Sequence, residues 1–290
     1  MAKPTTRHGD SVATEDGQPW GSAAYDANAA ATIPSVLSRH LAAVRDMPSV
    51  QQAWAHAYRA MRLVPGARAL DVGCGTGIFL PLLGEIVGDE GVVVGVDHAR
   101  ALFDEARTRY VKSGARAALA LVSGDAHRLP LADDVFDAAH TERVLMHLHD
   151  PDSALRELTR VVRPGGWVVA VEPDLAGWRI DFPDQEAIRA LVRGFCESWR
   201  FPAIGLELVR RMTMAGLVDV EVEVVTEVER SLPDDVAVYY RQALDVAVAR
   251  GWLSIERAER TLRDLLETAA NGQFTSSSSL FVVAGRVPAR

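Results

Sequence analysis

Asp71 and the alternating glycines Gly73, Gly75 and Gly77 carry the clearest chemical signal in the chain. They lie in Ala69-Leu70-Asp71-Val72-Gly73-Cys74-Gly75-Thr76-Gly77-Ile78, where an apolar run ends in an acid and then breaks. This pattern predicts a buried parallel strand, a tight loop and the opening of a helix. Glycine there allows backbone angles that a Cβ disfavours, and it lets the main chain approach a ligand closely. A dinucleotide fingerprint has the spacing G-x-G-x-x-G and seats a pyrophosphate on the helix N-terminus. The spacing here is G-x-G-x-G, and a carboxylate at Asp71 would repel a pyrophosphate. The loop suits a ligand that presents an ammonium group, which disfavours a nicotinamide-dependent oxidoreductase.

More chemistry follows downstream. The apolar run Val92 to Val96 ends in Asp97, where a ribose diol needs a carboxylate acceptor. Leu102 and Phe103 come next and suit either an adenine face or plain core. Further along, His140, His147 and His149 are candidate general bases, with Glu142 and Glu172 behind them. Each histidine also has a plain reading. His140 would be a satisfied residue of a buried strand, His147 a packed turn residue, and His149 a solvent-facing one. Arg143 could bind substrate or a helix C-terminus. No ligand cluster has zinc spacing, so no metal is expected.

The decapeptide around the glycines resembles the first motif of the class I S-adenosylmethionine-dependent methyltransferases. The run from Arg143 to Pro151, with Leu155, Glu157, Arg160-Val161 and Arg163-Pro164-Gly165-Gly166, is similar to later motifs of that superfamily. The likeness is to its ubiquinone- and menaquinone-biosynthesis-like branch of small-molecule enzymes, and it is close over about residues 65–175. It implies S-adenosylmethionine as cofactor, held by Asp71, Gly73, Cys74, Gly75, Gly77, Asp97, His98, Leu102, Gly124, Asp125, Ala126 and Thr141. In that family the acid at Asp125 accepts from the adenine amine, and the Ala126 N–H could meet a ring nitrogen. His147 and His140 are the expected catalytic residues. The resemblance also implies a Rossmann-like α/β fold, a seven-stranded mostly parallel sheet of order 3-2-1-4-5-7-6 with helices on both faces and a helical cap.

The elements that must position these residues follow from periodicity. Residues 1–24 read as a mobile arm, rich in Gly, Ser, Thr and charge. Two helices should precede the first strand, one through Val36, Leu37, His40, Leu41 and Val44 and one from Ser49 to Leu63. Residues 25–64 then form either a packing cap or a lid, with Tyr25, Trp54 and Tyr58 near the ligand. Strands are expected at Ala67–Val72, Val92–Asp97, Leu119–Val122, Phe136–His140 and Trp167–Glu172, within a cofactor-binding core over 65–174. The first interstrand helix should run from Thr76 to Val87, with Pro81 as a mild conflict. Asp150-Pro151 marks another helix start. Beyond the core, Asp184–Trp199, Gly205–Ala215, Pro233–Arg250 and Ser254–Ala270 read as helices, and Val218–Val225 and Ser279–Gly285 as strands. Insertions at 175–202 and 230–272 would be helical caps. Trp178, Phe182, Phe195, Trp199, Tyr239 and Tyr240 suit either an aromatic pocket or core. Residues 25–290 thus read as a single domain.

Composition narrows the function. A net charge of −8 argues against a nucleic-acid or anionic-membrane partner. No apolar run spans a membrane and no signal core opens the chain, so the cytoplasm is expected. Two cysteines are too few for a disulfide framework. The reading is methyl transfer to a small-molecule acceptor at O, N or C, quinone-like or a natural product. The alternative is a protein of the same fold that binds the cofactor but catalyses another reaction, such as a cyclisation. The intact acids and glycines argue against a degenerate regulatory module. The N-terminal helices can cap their own site or a neighbour's, so a homodimer is allowed.

Overall fold

A computed structural model describes residues 21–22 and 47–289. The expected helix through Val36 to Val44, Tyr25 and most of the N-terminal arm lie outside the described residues. Two arm residues are described, and they are docked. Ser22 is buried, its N–H donates to the Ser198 carbonyl at 2.8 Å, and its hydroxyl accepts from the Arg200 N–H at 3.0 Å.

Helix α1 (Pro48–Met61) precedes the first strand, with Pro48 where its missing N–H costs nothing. The chain then alternates through β1 (Arg68–Val72), α2 (Leu80–Val87), β2 (Val92–Asp97), α3 (Phe103–Ser113), β3 (Ala118–Ser123), β4 (Phe136–Glu142), α4 (Pro151–Val161) and β5 (Val162–Ile180). Four further helices and two strands complete it: α5 (Gln185–Cys196), α6 (Ile204–Met214), β6 (Val218–Glu229), α7 (Asp234–Ala249), α8 (Ile255–Ala270) and β7 (Ser276–Arg286). The seven strands form one sheet in the order β3-β2-β1-β4-β5-β7-β6. The first five are parallel, and β7 runs antiparallel to both β5 and β6. The expected fold class and strand order are therefore observed.

The local boundaries have physical causes. Helix α2 begins at Leu80 rather than Thr76, which puts Pro81 in its first turn and leaves 76–79 in the loop. Asp150 caps α4 by accepting from the Ser153 N–H at 3.0 Å, and Asp184 caps α5 through the Ala187 N–H at 3.1 Å. Strand β5 is longer than the apolar run Trp167–Glu172. It starts as soon as α4 ends and continues to Ile180, where it pairs with Ser276. The serine run is part of β7. On edge strand β6, Val222 and Val224 are exposed and Val225 is the buried valine.

Because the central parallel strands are covered on both faces, their residues are mostly apolar, and the buried polar ones gather toward the carboxyl ends. One face packs on α1, α2 and α3 through Trp54, Met61, Leu83 and Phe103. The other packs on α4 and α6 through Leu155, Leu158, Leu208 and Met212. A third core, separate from both, joins α5, α7 and α8 around Leu191, Tyr240, Leu244, Leu265 and Phe274. No helix among the described residues is long and apolar enough to cross a membrane.

The third core depends on one close helix crossing. A Cβ added at Gly194 of α5 would overlap the carbonyl of Ala243 on α7. Gly194→Ala should cost about 1–3 kcal/mol by forcing the helices apart, read as a lower urea midpoint with an unchanged m-value.

Candidate functional site

A cavity of about 660 Å³ opens at the carboxyl ends of β1, β2 and β4. That is the crevice where ligands bind in open α/β sheets, and the volume lies in the range of small-molecule sites. Its walls come from the loops after β1 to β4 and from β5, β6 and β7, with Val50 and Trp54 of α1 and Trp199 beside them.

Strand register explains its chemistry. Asp71 of β1 lies beside His140 of β4, so their side chains leave the sheet on the same face. His140 Nδ1 donates to Asp71 Oδ1 at 2.9 Å, and the imidazole is fully buried. Phe79 stacks on that ring at 3.8 Å between centroids, and Tyr58 stacks on Phe79 at 5.1 Å. Two residues along β4, Glu142 projects to the same side. Its Oε2 accepts from Trp54 Nε1 at 2.7 Å, which ties α1 to the sheet, and its Oε1 accepts from Arg143. Arg143 has φ +51°, a left-handed conformation held at the rim of the cavity.

The glycine loop wraps the carboxylate side. Gly73, Gly75 and Gly77 all have positive φ, at +77°, +49° and +70°. A Cβ at Gly73 would overlap Val144 of the loop after β4, so only glycine lets the two loops meet. Asp97 at the end of β2 accepts from the Gly75 N–H at 2.8 Å and the Ala99 N–H at 2.7 Å, which fixes its carboxylate against the loop. His98 stands 3.4 Å from the same carboxylate. Asp125, on the β3 exit, accepts from the His127 N–H at 2.9 Å and ring at 2.6 Å. Burial pushes its carboxyl up, but those hydrogen bonds and the two nearby imidazoles outweigh it and hold the group below its usual value.

Asp71, Gly73, Cys74, Gly75, Asp97, His98, Leu102, Gly124, Asp125, Ala126, His140 and His147 all line this one cavity. Gly77 does not, since it packs on Ala106 of α3. Neither does Thr141. It is fully buried beside Val72 and Ala170, one residue out of phase with His140, and so faces the α4 side of the sheet. Burial, with the charges of Asp71 and Asp97, pushes the Cys74 thiol far up, so it serves as a small apolar residue. His147 is 8% exposed and lies against Trp199 at 5.4 Å between rings. His149 sits exposed at the rim.

Two residues depart from the sequence reading. Glu172, a reserve candidate base, is completely buried on the α4 side. Its Oε1 accepts from the N–H groups of Val144 (2.9 Å) and Leu145 (2.7 Å), anchoring the turn that carries His147. Burial raises its pKa to about 8 against the pull of those bonds, so at neutral pH it is mostly a neutral acid. Glu227 of β6 was not signalled, because it looks like every other acid of an alternating edge strand. It is half-buried in the cavity wall, with its pKa raised by burial and by Glu229.

The residues present fit S-adenosylmethionine. A buried carboxylate held by an imidazole, a glycine loop that admits close approach, and two further acids at successive strand ends match an ammonium, a diol and an adenine amine. Among known proteins, residues 70–170 match the family model described as a methyltransferase domain. The chain is 37% identical over 221 residues to a 37.1 kDa protein of transposon TN4556 from Streptomyces fradiae, covering 76% of this chain and 62% of that one. It is 38% identical over 124 residues to the demethylmenaquinone methyltransferase of Bacillus pumilus, covering 42% and 53%. The chain thus spans less than two thirds of either relative. The YcgJ protein of Bacillus subtilis shares the fold at TM-score 0.57 and 17% identity, over 83% of this chain and all of that one.

Glu172 gives a pH test. Its folded pKa lies above the unfolded one, so the stability it contributes is full below about pH 4.5 and is lost as pH rises through about 8. Glu172→Gln, which keeps the acceptor oxygen without the charge, should flatten urea-unfolding stability between pH 5 and 8 relative to wild type.

Proposed function

We propose that this chain is a class I S-adenosylmethionine-dependent methyltransferase that methylates a small, partly apolar acceptor, a reading supported by the match of residues 70–170 to the methyltransferase domain model. The observation that carries the proposal is the placement of Asp71, Asp97 and Asp125 around one cavity that Trp54 and Trp199 also line. S-adenosylmethionine supplies a methyl group already activated on a positive sulfur. The protein's work is then alignment and exclusion of water.

Asp71 would hold the ammonium, oriented by its hydrogen bond with His140. Asp97 would accept from the ribose diol and Asp125 from the adenine amine, with Leu102 and Ala126 beside the base. His140 is therefore a positioning residue in this reading, because its Nδ1 is engaged with Asp71 and its ring is sealed beneath Phe79. His147 is the group that can take a proton from a hydroxylated acceptor. Residues 47–64, through Trp54, serve as part of a lid, and the segment 175–202 contributes Leu175 and Trp199 as a cap. The segment 230–272 supports that cap from behind, since its helices pack on α5 and do not line the cavity. A quinone-like acceptor is favoured by the relative that acts, by its name, on demethylmenaquinone.

Two variants test the reading. Asp97→Ala should weaken calorimetric binding of S-adenosylhomocysteine by about 1–3 kcal/mol. Unchanged binding would remove Asp97 from the cofactor site. His147→Gln should leave that binding intact while lowering transfer to hydroxylated aromatic acceptors by about 10²-fold or more. It should also abolish the acid limb of the pH–rate profile. A normal rate and profile would show that His147 is not the base.

A further inference from the structure

A second cavity, also of about 660 Å³, lies between the outer end of β5, the start of β7 and helix α5. It shares no lining residue with the first. Arg189 and Arg193 stand one helical turn apart on α5 and so share a stripe. Across the groove, Arg179 of β5 pairs in register with Ser277 of β7, which puts their side chains on one face of the sheet. Both sets line the same space.

The groove carries an excess of positive charge. Two other arginines of this helical layer are neutralised. Arg257 is held by Asp184 and Glu186 at 2.7 and 2.9 Å, and Arg250 by Glu197 at 2.7 Å. Arg193 instead lies over the Trp252 ring at 3.7 Å. Arg179 and Arg189 form no ion pair among the described residues. Asp181 is the one carboxylate lining the groove, so three guanidiniums face it in a protein of net charge −8. Guanidinium forks match the geometry of an oxyanion, and they tolerate desolvation better than ammonium groups. Trp178, Ile180, Ile188 and Val192 give the groove an apolar wall, beside the polar Gln185, Thr275, Ser276 and Ser277.

We propose that this groove is a second ligand site, which binds a phosphate monoester carried on an apolar body. The guanidiniums of Arg179, Arg189 and Arg193 take the phosphate oxygens, and Trp178 and Ile188 take the body. A soluble metabolite and a lipid headgroup offer the same chemistry. The site adjoins the first one through an aromatic wall. Trp178 meets Phe195 at 5.3 Å, and Phe195 meets Trp199, which lines the first cavity, at 5.8 Å.

The test uses the full chain and tryptophan fluorescence, with 1-naphthyl phosphate, inorganic phosphate and phosphatidic-acid vesicles as probes. Saturable binding of naphthyl phosphate, tighter than inorganic phosphate and weakened at least about tenfold in Arg179→Glu/Arg189→Glu, is the expected result. S-adenosylhomocysteine affinity should be the same in that variant, which also checks its fold. Vesicle binding that the same variant abolishes would assign the site to a lipid headgroup. Equal binding of inorganic and naphthyl phosphate would overturn the apolar part of the site. Failure of every probe to bind, or binding that the variant leaves unchanged, would overturn the site itself.

Discussion

The hydrogen bond between Asp71 and His140 is the constraint around which the site is arranged. A carboxylate at the centre of a parallel sheet is costly to bury without a partner. The partner comes from the neighbouring strand at the same level, so register and electrostatics are coupled. A one-residue slip of β4 would send His140 to the opposite layer and leave Asp71 unpaired. The pair is sealed by Phe79 and Tyr58, which join the glycine loop to α1. The group best suited to an ammonium ligand is thus also a fixed point of the fold.

The alternation of strand side chains divides the work between two faces. On the α1 side, His140 and Glu142 serve the cavity, the first through Asp71 and the second through Trp54 and Arg143. On the α4 side, Glu172 uses its carboxyl to hold the backbone of the turn after β4. That turn presents His147 to the cavity. Its left-handed residue, Arg143, is stabilised by a hydrogen bond from its N–H to the Val171 carbonyl at 2.9 Å. Backbone strain is tolerated where both neighbouring faces hold it in place.

The layers added to this core have different attachments. Helix α1 is tied to the sheet by packing and by the Trp54–Glu142 bond. The α5, α7 and α8 group has a core of its own and meets the site only at its margin, through the aromatic chain ending at Trp199. Ser22 is pinned between the Met146 turn and Ser198–Arg200, which brings residues 21–22 to the same margin. The end of the cavity near Trp199 is therefore assembled from parts far apart in the chain, whereas the end that carries Asp71, Asp97 and Asp125 is built from consecutive strand exits.

That difference explains what the sequence determined. Asp125 is singled out by the family resemblance, whereas the glycine loop and Asp97 are legible because each sits at the end of a local apolar run, where strand and turn signals coincide. The Asp150 and Asp184 caps are local for the same reason. Tertiary structure alone decided which face each residue serves. Period-two alternation says that His140 and Thr141 point apart, but only the layers packed on the sheet show that Thr141 faces away from the cavity. It also decided that Trp54 meets Glu142, that Glu227 reaches the wall from the edge strand, and that Glu172 supports a turn. These contacts join residues with no short-range relation, so no pattern within one segment can encode them. They exist because a parallel sheet brings distant strand ends to one edge.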